Sequence, residues 1–415
     1  MSEVMVDVLV IGAGPAGIAA ATSAARFGAE SVMLIERDNR LGGILFQCIH
    51  NGFGLYRYNE ELTGPEYAQR DIDGLLKNSV IVKSNTFAAD IIRNDSSFGV
   101  LLLCHDNAEW ISARSIILAM GCRERTAGAI SLPGQRPSGI YTAGTAQRLM
   151  NIQNVKVGTS VVIVGSGDIG MIMARRMTLE GSIVKAVTEI MPFPGGLARN
   201  IHQCLHDFGI PLFLSTGISQ VYGRHRVEGV RIAPVDENGQ LNDSEGRDIE
   251  CDTLLLSVGL IPENELSKKA SVKLDPRTQG AMVDANCMTS VPGIFACGNV
   301  LHVHDVADFV TEESELAGNA AARWVADPLI GQLSVPVSCA EDIRYTVPQS
   351  INEMKETIIS LRVARPRPSC KIIIRQKNRI LASKSYIRLQ PSEMVRIPVT
   401  IERIEPVEVF CETTR

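Results

Sequence analysis

Three glycines near the start of the chain, spaced Gly12-x-Gly14-x-x-Gly17, have the type and spacing needed to hold a dinucleotide pyrophosphate. Gly12 permits a tight turn out of a strand, Gly14 lets phosphate approach the backbone, and Gly17 lets a helix pack closely. The free N–H groups and positive dipole end of that helix favour an anion. Glu36 follows Gly17 by nineteen residues, where a carboxylate can bind a ribose diol. This stretch predicts a dinucleotide-binding site.

The same pattern recurs in the middle of the chain. Gly165, Gly167 and Gly170 repeat the glycine spacing, and Glu189 again follows the last of them by nineteen residues. Glu189 would repel a 2′-phosphate, and the next three residues, Ile190-Met191-Pro192, supply no arginine to bind one. The repeat therefore predicts a second dinucleotide site that prefers NAD(H) to NADP(H).

Hydrophobic patterning assigns the elements that must position these residues. Residues 8–11 are apolar on both faces, as expected of a buried parallel strand, and 31–35 are predicted as the next strand. Short strands with polar turns over 86–110 and 217–250 predict a β-meander in each half. The tail, 333–415, has β-type runs separated by turns, which predicts a small β-sandwich. The predicted fold class is α/β, with two Rossmann-like dinucleotide-binding domains, each with a β-meander, and a small C-terminal all-β domain.

Composition limits the function classes. The net charge of −5 gives no general attraction to nucleic acid or to an anionic membrane. No run of about 18 apolar residues occurs, so no membrane span is expected, and the first residues lack the basic region of a signal peptide. The ten cysteines are scattered without a C-x-x-C pair, which argues against an iron–sulfur cluster or a local redox disulfide. We expect a cytoplasmic protein with reduced thiols.

In the order of these parts, residues 1–330 resemble the flavoproteins with two dinucleotide-binding domains that are related to the pyridine nucleotide–disulfide oxidoreductases. The resemblance implies FAD at the first glycine motif and a nicotinamide nucleotide, NAD, at the second. It also implies that the chain returns to complete its first domain. The expected domains are a split FAD-binding domain (1–122 and 285–330), an NAD-binding domain (123–284) and a C-terminal β domain (333–415).

The resemblance also implies which residues bind the cofactors. Asn299 replaces the aspartate that usually lies near the ribitol chain, and an amide can still form hydrogen bonds there. The expected FAD-binding residues are Gly12, Gly14, Pro15, Ala16, Gly17, Glu36, Arg37, Gly42, Gly43, Gln47, Ala119, Gly121, Gly298 and Asn299. The expected NAD-binding residues are Gly165, Gly167, Asp168, Ile169, Glu189 and Gly259.

One departure from the family is chemical. Disulfide reductases need two neighbouring cysteines, and this chain lacks such a pair in either of the family's usual places, so it should not be a thioredoxin or glutathione reductase. The loop over 43–67 and the β tail resemble, more narrowly, the FAD/NAD oxidoreductases similar to subunits of hydrogen cyanide synthase, opine oxidase and sarcosine oxidase-type complexes. Similar proteins accompany glycerol-3-phosphate dehydrogenase-like subunits. The resemblance implies one subunit of a larger, multi-subunit flavin dehydrogenase.

Four residues are candidates for catalysis beside the flavin. Cys48 and His50 lie in the loop after the paired glycines, either as a functional pair near the isoalloxazine or as a small buried thiol and a hydrogen-bonded packing residue. His302 and His304 follow the Gly298-Asn299 turn as alternate residues on one face. They could bind a metal or relay a proton, or instead position the flavin and fix the start of the next helix. We assign no metal site.

Two further sets of residues have weaker patterns. His202 and His206 share one face of a predicted helix over 197–208, but no third ligand is in view, so we interpret them as part of a solvated face. Arg123 and Arg125 lie in a crossover rich in glycine and proline, where they are candidates either for phosphate binding or for a surface role.

The sequence predicts a FAD-dependent oxidoreductase subunit in a hetero-oligomer. NADH would bind the second domain and exchange hydride with the flavin. Electrons would pass to or from a partner flavoprotein dehydrogenase subunit that handles a small-molecule substrate. An alternative is a subunit of an amine, opine or hydroxyproline-type dehydrogenase or oxidase whose NAD fold is unused. A non-enzymatic alternative is a flavin-bound scaffold, in which the second domain and the β tail serve assembly.

Overall fold

The chain divides into two compact units. Unit 1 comprises Met1–Cys122 and Pro262–Arg415, and unit 2 comprises Arg123–Ile261. Residues 262–284 lie in unit 1, although the domain boundary predicted from the sequence assigns them to the NAD-binding domain. The computed structural model describes residues 4–105, 107–328 and 334–413.

The first sheet of unit 1 has seven strands. In chain order, the N-terminal elements are β1 (Met5–Ile11), α1 (Pro15–Arg26), β2 (Val32–Ile35), a 3₁₀ helix (Gly43–Gln47), β3 (Asn51–Phe53), β4 (Leu62–Thr63), α2 (Gly64–Leu75), β5 (Val80–Lys83), β6 (Thr86–Arg93), β7 (Phe98–Cys104), β8 (Asn107–Leu118) and β9 (Cys122–Glu124). Strands β5, β2, β1 and β8 are parallel neighbours, and β8 continues into an antiparallel meander with β7 and β6.

Strand β1 is central because its side chains are apolar on both faces. The four residues from Val8 to Ile11 are at most 4% exposed. Each such side chain contributes about 1.5–3 kcal/mol when it is fully buried. A strand of this kind cannot lie at a solvated edge, and in the structure β2 and β8 flank it on its two sides.

Unit 2 repeats this plan. Its elements are β10 (Ile140–Thr142), α3 (Ala143–Asn151), β11 (Ser160–Val164), α4 (Asp168–Leu179), β12 (Ile183–Thr188), α5 (Ala198–Asn200), a π-helical turn (Ile201–Leu205), a 3₁₀ turn (His206–Phe208), β13 (Leu212–Phe213), β14 (Thr216–Tyr222), β15 (Gly229–Pro234), a 3₁₀ turn (Asp243–Glu245), β16 (Arg247–Glu250), β17 (Thr253–Leu256) and β18 (Leu260–Pro262). Five parallel strands are ordered β10-β17-β11-β12-β13, and β14, β15 and β16 form the meander. The helix predicted over 197–208 is helical but changes type twice along its length.

The chain then returns to complete the first sheet. The returning elements are α6 (Glu265–Lys269), β19 (Ile294–Ala296), a 3₁₀ turn (Gly298–Val300) and α7 (Ala307–Ala326). Strand β19 pairs in parallel with the end of β8. Helix α7 packs directly on α1, where the Ser23 hydroxyl donates to the Glu315 carbonyl at 2.6 Å. A Cβ on Gly318 would lie 2.2 Å from the Ala20 carbonyl oxygen, so this approach requires glycine.

The C-terminal region forms two sheets around a shared apolar core. Its strands are β20 (Val335–Cys339), β21 (Ile343–Val347), β22 (Ser350–Ile351), β23 (Glu356–Val363), β24 (Cys370–Gln376), β25 (Arg379–Tyr386), β26 (Val395–Thr400) and β27 (Val407–Thr413). Tyr345 and Val347 also join the core of the first sheet, so this region packs within unit 1. The predicted α/β class with a strand-rich C-terminal region is confirmed. Among the described residues, no helix has the length and apolar character to cross a membrane.

Candidate functional site

The first glycine motif forms a tight crossing between β1 and α1. Gly12 has φ of +99°, and a Cβ there would lie 2.6 Å from the Ala119 carbonyl oxygen. A Cβ on Gly17 would lie 1.7 Å from the Gly12 carbonyl oxygen, because the helix passes close over the turn. Gly14 instead faces open space beside the start of α1. The motif thus leaves room for a ligand at the one glycine expected to meet a pyrophosphate.

Glu36 is held at the end of β2 by backbone donors on both carboxylate oxygens. The Ala13 N–H donates to Oε2 and the Asp38 N–H to Oε1, each at 2.8 Å. The residue is 8% exposed. These bonds fix the carboxylate beside the glycine turn, where it remains able to accept from a ribose diol.

The paired glycines, Gly42 and Gly43, lie against the same motif. The Gly42 N–H donates to the Ala13 carbonyl at 2.7 Å, and a Cβ on Gly43 would lie 2.9 Å from the Gly14 Cα. Gly43 can therefore lie over the motif only without a side chain, whereas a Cβ on Gly42 would meet the Phe46 ring. Gln47, four residues later, is buried, whereas Arg37 is exposed.

The Gly298-Asn299 turn lies beside the start of α1. A Cβ on Gly298 would lie 2.7 Å from the Ala16 Cβ, and the Asn299 Oδ1 accepts from the His304 N–H at 3.0 Å. Gly121 has φ of +71° at the end of the neighbouring strand, and its carbonyl accepts from the Glu263 N–H at 3.0 Å. The structure therefore brings the residues expected to bind the two ends of FAD onto one edge of the sheet.

His302 and His304 converge on Glu313, a residue of α7 that the sequence analysis missed. Glu313 Oε2 lies 2.7 Å from His302 Nε2 and 3.4 Å from His304 Nε2. Its Oε1 accepts from the Gly298 N–H at 2.8 Å. Burial raises the pKa of Glu313, but the two imidazoles outweigh it and hold that pKa well below its usual range. Burial, together with His304, lowers the pKa of His302. The cluster is therefore hydrogen-bonded to the Gly298-Asn299 turn, which is expected to bind FAD.

Cys48 and His50 occupy the loop between the 3₁₀ helix and β3. Burial raises the pKa of the Cys48 thiol to about 12, so the thiol is protonated at neutral pH and is a poor nucleophile. The His50 Nδ1 lies 2.9 Å from the Asn51 carbonyl, and its ring packs 5.2 Å from the Phe53 ring. These contacts agree with the alternative in which Cys48 is a small buried thiol and His50 is a hydrogen-bonded packing residue.

Asp308, in the first turn of α7, is a second residue that sequence reasoning missed. Its Oδ2 accepts from the Gly54 N–H at 3.1 Å, and its Oδ1 accepts from the N–H groups of Tyr56 and Arg57 at 3.2 and 2.9 Å. The loop between β3 and β4 is therefore anchored to the helix that follows the histidines. The signal available in the sequence was an acidic residue in the first turn of a helix, and this signal does not indicate which groups the residue contacts.

The second glycine motif is built in the same way. Gly165 has φ of +90°, and a Cβ there would lie 2.2 Å from the Ser257 carbonyl oxygen. Glu189 Oε2 accepts from the Ser166 N–H at 3.0 Å and from the Ser166 hydroxyl at 2.7 Å. Glu189 Oε1 accepts from the Met191 N–H at 3.0 Å. Gly259, with φ of +98°, accepts from the Arg125 N–H at 3.1 Å.

Asp168 begins α4 and binds the chain itself. Its Oδ1 accepts from the Leu197 N–H at 2.9 Å and from the Asn200 Nδ2 at 2.6 Å. The Gly195 N–H donates to the Ser166 hydroxyl at 2.7 Å. The loop after Glu189 thus lies against the start of α4. The neighbouring Ile169 is half-buried and packs against the apolar core of unit 2.

Unit 2 also contains a cavity and an exposed pair of histidines. A cavity of about 400 Å³ opens at the carboxyl ends of β10 and β17, the side on which parallel sheets bind ligands. Its lining includes Arg136, Tyr141 and Thr142. The side chain of His202 is 72% exposed and contacts Asp207, and its ring lies 5.6 Å from that of His206.

The chain belongs to the pyridine nucleotide–disulphide oxidoreductase family, whose model matches residues 6–323. Proteins of this family bind FAD and use NAD(P)H, which confirms the cofactor prediction and the expected resemblance. The chain is 26% identical over 320 residues to the HcnB subunit of the hydrogen cyanide synthase of Pseudomonas protegens, covering 70% of this chain and 65% of that one. It is 25% identical over 312 residues to one subunit of the opine oxidase of Agrobacterium tumefaciens, covering 71% and 61%. The chain thus spans less than two thirds of the length of these relatives.

Among solved structures, the chain is similar to T. acidophilum thioredoxin reductase. The TM-score is 0.63 at 25% identity, covering 77% of this chain and 99% of that one. The match supports the fold of the two nucleotide-binding parts. None of the ten cysteines, all of which lie within the described residues, forms a disulfide, and the sequence has no C-x-x-C pair. The protein is therefore an oxidoreductase of this family whose sequence lacks a C-x-x-C pair.

Proposed function

We propose that this chain is a FAD-dependent oxidoreductase subunit that transfers hydride between NAD(H) and FAD. One observation carries the proposal: each of the two glycine motifs has its own buried glutamate, held by the amide of the residue between the first two glycines. Bound FAD would supply the two-electron chemistry. Residues of the first motif would hold its pyrophosphate, and Glu36 would orient its ribose.

The second site supports a non-phosphorylated dinucleotide. Glu189 is 9% exposed, and its carboxylate points to the turn that would receive an adenosine ribose. A 2′-phosphate at that ribose would meet this negative charge, whereas the 2′-hydroxyl of NAD(H) could donate to it. We therefore propose NAD(H) as the nucleotide of unit 2.

We further propose that electrons pass to or from a partner dehydrogenase subunit, which would act on a small molecule. The names of the two relatives describe subunits of a synthase and of an oxidase. A third relative, 28% identical over 242 residues, is the ferredoxin–NAD(+) reductase subunit of the benzene dioxygenase system of Pseudomonas putida. We propose a hetero-oligomer on the strength of these names; a reducing, cytoplasmic compartment agrees with ten cysteines that form no disulfide.

Anaerobic titration of the flavin-loaded chain with NADH tests the proposal. We expect the oxidised flavin band to bleach on mixing, and Glu189→Ala to weaken NADH binding without loss of flavin. A matched variant, Glu36→Ala, should instead lose flavin. A flavin band that dithionite bleaches but NADH leaves oxidised would contradict hydride exchange with NADH.

A second candidate is a subunit of an amine, opine or hydroxyproline-type dehydrogenase or oxidase whose NAD fold is unused. The observation that favours it is the loop over 192–197, which lies against the start of α4 and is held there by the Asp168 carboxylate. Reduction of the flavin by such a substrate, in a preparation that NADH leaves oxidised, would select this candidate.

A further inference from the structure

We propose that His302, His304 and Glu313 form a binding site for one divalent transition metal ion, with zinc as the ion to test. This inference does not depend on which nucleotide unit 2 binds. The three side chains each offer one donor atom, and these atoms lie within 4.8 Å of one another. Two imidazole nitrogens and one carboxylate oxygen are a donor set that zinc and related ions accept.

The spacing of the donor atoms fits a small coordination sphere. In a tetrahedral zinc site with bonds of about 2.0–2.1 Å, donor atoms lie roughly 3.3 Å apart. His304 Nε2 lies 3.4 Å from Glu313 Oε2, and His302 Nε2 lies 2.7 Å from the same oxygen. The shorter pair is a hydrogen bond, so metal binding would require His302 to carry its hydrogen on Nδ1 instead of Nε2, and would open that distance by about half an ångström.

The orientation of His304 is already that of a metal ligand. Its Nδ1 lies 2.9 Å from the His302 carbonyl oxygen, which can only accept, so Nδ1 must carry the hydrogen. The lone pair of a neutral His304 ring is then on Nε2, facing the Glu313 carboxylate. Metal-binding histidines commonly donate their other N–H to a backbone carbonyl in this way. A cation between Nε2 and Oε2 would satisfy both acceptors.

The surroundings hold the carboxylate and exclude most of the solvent. The side chains of His302, His304 and Glu313 are 1%, 3% and 13% exposed, so few waters compete with these ligands. The Gly298 N–H fixes the second carboxylate oxygen at 2.8 Å. Arg362 is the nearby cation, and its guanidinium is paired with Asp305. Three protein ligands would leave one position for water, on the more exposed Glu313 side.

Metal content after dialysis tests the site. The full-length, flavin-loaded protein is equilibrated with zinc, dialysed against metal-free buffer and measured by elemental analysis. We expect about one zinc per chain for the unaltered protein and for His304→Cys, which keeps a ligand, and a loss of nearly all of it for His304→Gln. His202→Gln is the matched control, because it alters an exposed histidine pair elsewhere and should retain the zinc.

Thermal unfolding gives a readout that does not depend on the variants. Zinc that binds the folded state should raise the midpoint of the unaltered protein in proportion to the logarithm of its concentration. The proposal is overturned if the unaltered protein keeps no zinc and shows no shift. It is equally overturned if His304→Gln, folded by circular dichroism, retains the zinc that the unaltered protein binds.

Discussion

The two glycine motifs of this chain share the same glutamate contact and differ in how the loop after each glutamate is bound. In both, a buried glutamate accepts from the amide of the residue after the first glycine, Ala13 or Ser166. Both glutamates are followed, six residues later, by a Gly-Gly pair, Gly42-Gly43 or Gly195-Gly196. The duplication therefore extends beyond the glycine motif to the loop that lies against it.

The difference begins at the first residue of each helix. Pro15 starts α1 beside a glycine that faces open space, whereas Asp168 starts α4 and binds the loop over 192–197 through its carboxylate. Ser166 adds a hydroxyl that bridges Glu189 and Gly195, where Ala13 has none. The second motif thus satisfies more of its polar groups internally than the first does. This difference suits a resident cofactor at the first motif and an exchanging nucleotide at the second.

The largest effect is expected from a substitution in unit 1, at the contact between Arg362 and the loop that carries His302 and His304. Arg362 of β23 binds the Asp305 carboxylate and the Val303 carbonyl, and it also binds the Tyr345 hydroxyl. It therefore links residues 301–306, here called the histidine loop, to the C-terminal sheets. Because Arg362→Leu removes the cation beside the half-buried Asp305 carboxylate, which then keeps, among the described residues, only the Met394 N–H as a donor, we expect a loss of about 3 kcal/mol in unfolding free energy, with release of flavin. Denaturant titration measures this loss.

The matched control for Arg362 is Arg231→Leu in unit 2. Arg231 pairs with Asp243 and Asp248, both more than half exposed, so stability and flavin content should change little. If Arg362→Leu changed stability and flavin content as little as Arg231→Leu does, the histidine loop would not depend on the C-terminal sheets.

The next test places the same substitution in both motifs. A Cβ on Gly17 would lie 1.7 Å from a backbone oxygen, and one on Gly170 would lie 2.6 Å from the Ser257 side chain. We expect Gly17→Ala to cost about 3 kcal/mol or more and to lose flavin, because backbone must move. Gly170→Ala should keep flavin and weaken NADH binding. Flavin content and NADH affinity separate the two; loss of flavin in both variants would contradict the assignment of ligands to motifs.

A smaller effect concerns pH. The carboxyl groups with a raised pKa, among the described residues, are Asp71 and Asp284, both in unit 1. Burial raises the pKa of Asp284 to about 6, so its folded form binds a proton more tightly than the unfolded chain does. Its contribution to stability therefore falls as pH rises from about 4 to about 6, by roughly 2 kcal/mol.

Asp284→Asn should remove this slope, which denaturant titrations at pH 4.5 and 7.5 can measure. Glu250→Gln, an exposed carboxyl in unit 2, should leave the slope in place. A slope unchanged in Asp284→Asn would assign the pH dependence to another group.

The smallest effect tests the loop over 192–197. Asp168→Asn keeps an oxygen that can accept from the Leu197 N–H but removes a negative charge at the start of α4. Since that charge opposes a pyrophosphate, we expect NADH to bind a few-fold more tightly, equivalent to about 0.3–1 kcal/mol. Fluorescence titration measures the affinity; weaker binding would mean that Asp168 assists the nucleotide.

Much of this arrangement could be predicted because it is encoded locally. Strand, glycine spacing, helix and acid lie within about 30 residues, so their order in the sequence fixes their order in space. Both motifs, both glutamates and the strand-rich tail follow from such patterns. The segment over 197–208 is also predicted to be helical, although the changes of helix type along it depend on how it packs.

The sequence by itself determined the two glycine motifs and their glutamates, and only the tertiary structure decided what surrounds them. Glu313 contacts His302 and His304 because α7 folds back beneath the Gly298 turn. The spacing of Glu313 from the two histidines along the chain does not indicate this contact. Asp308 reaches Gly54 across more than 250 residues, and Arg362 reaches Asp305 from a separate sheet. Such contacts depend on packing between distant segments, which neither periodicity nor a short motif records.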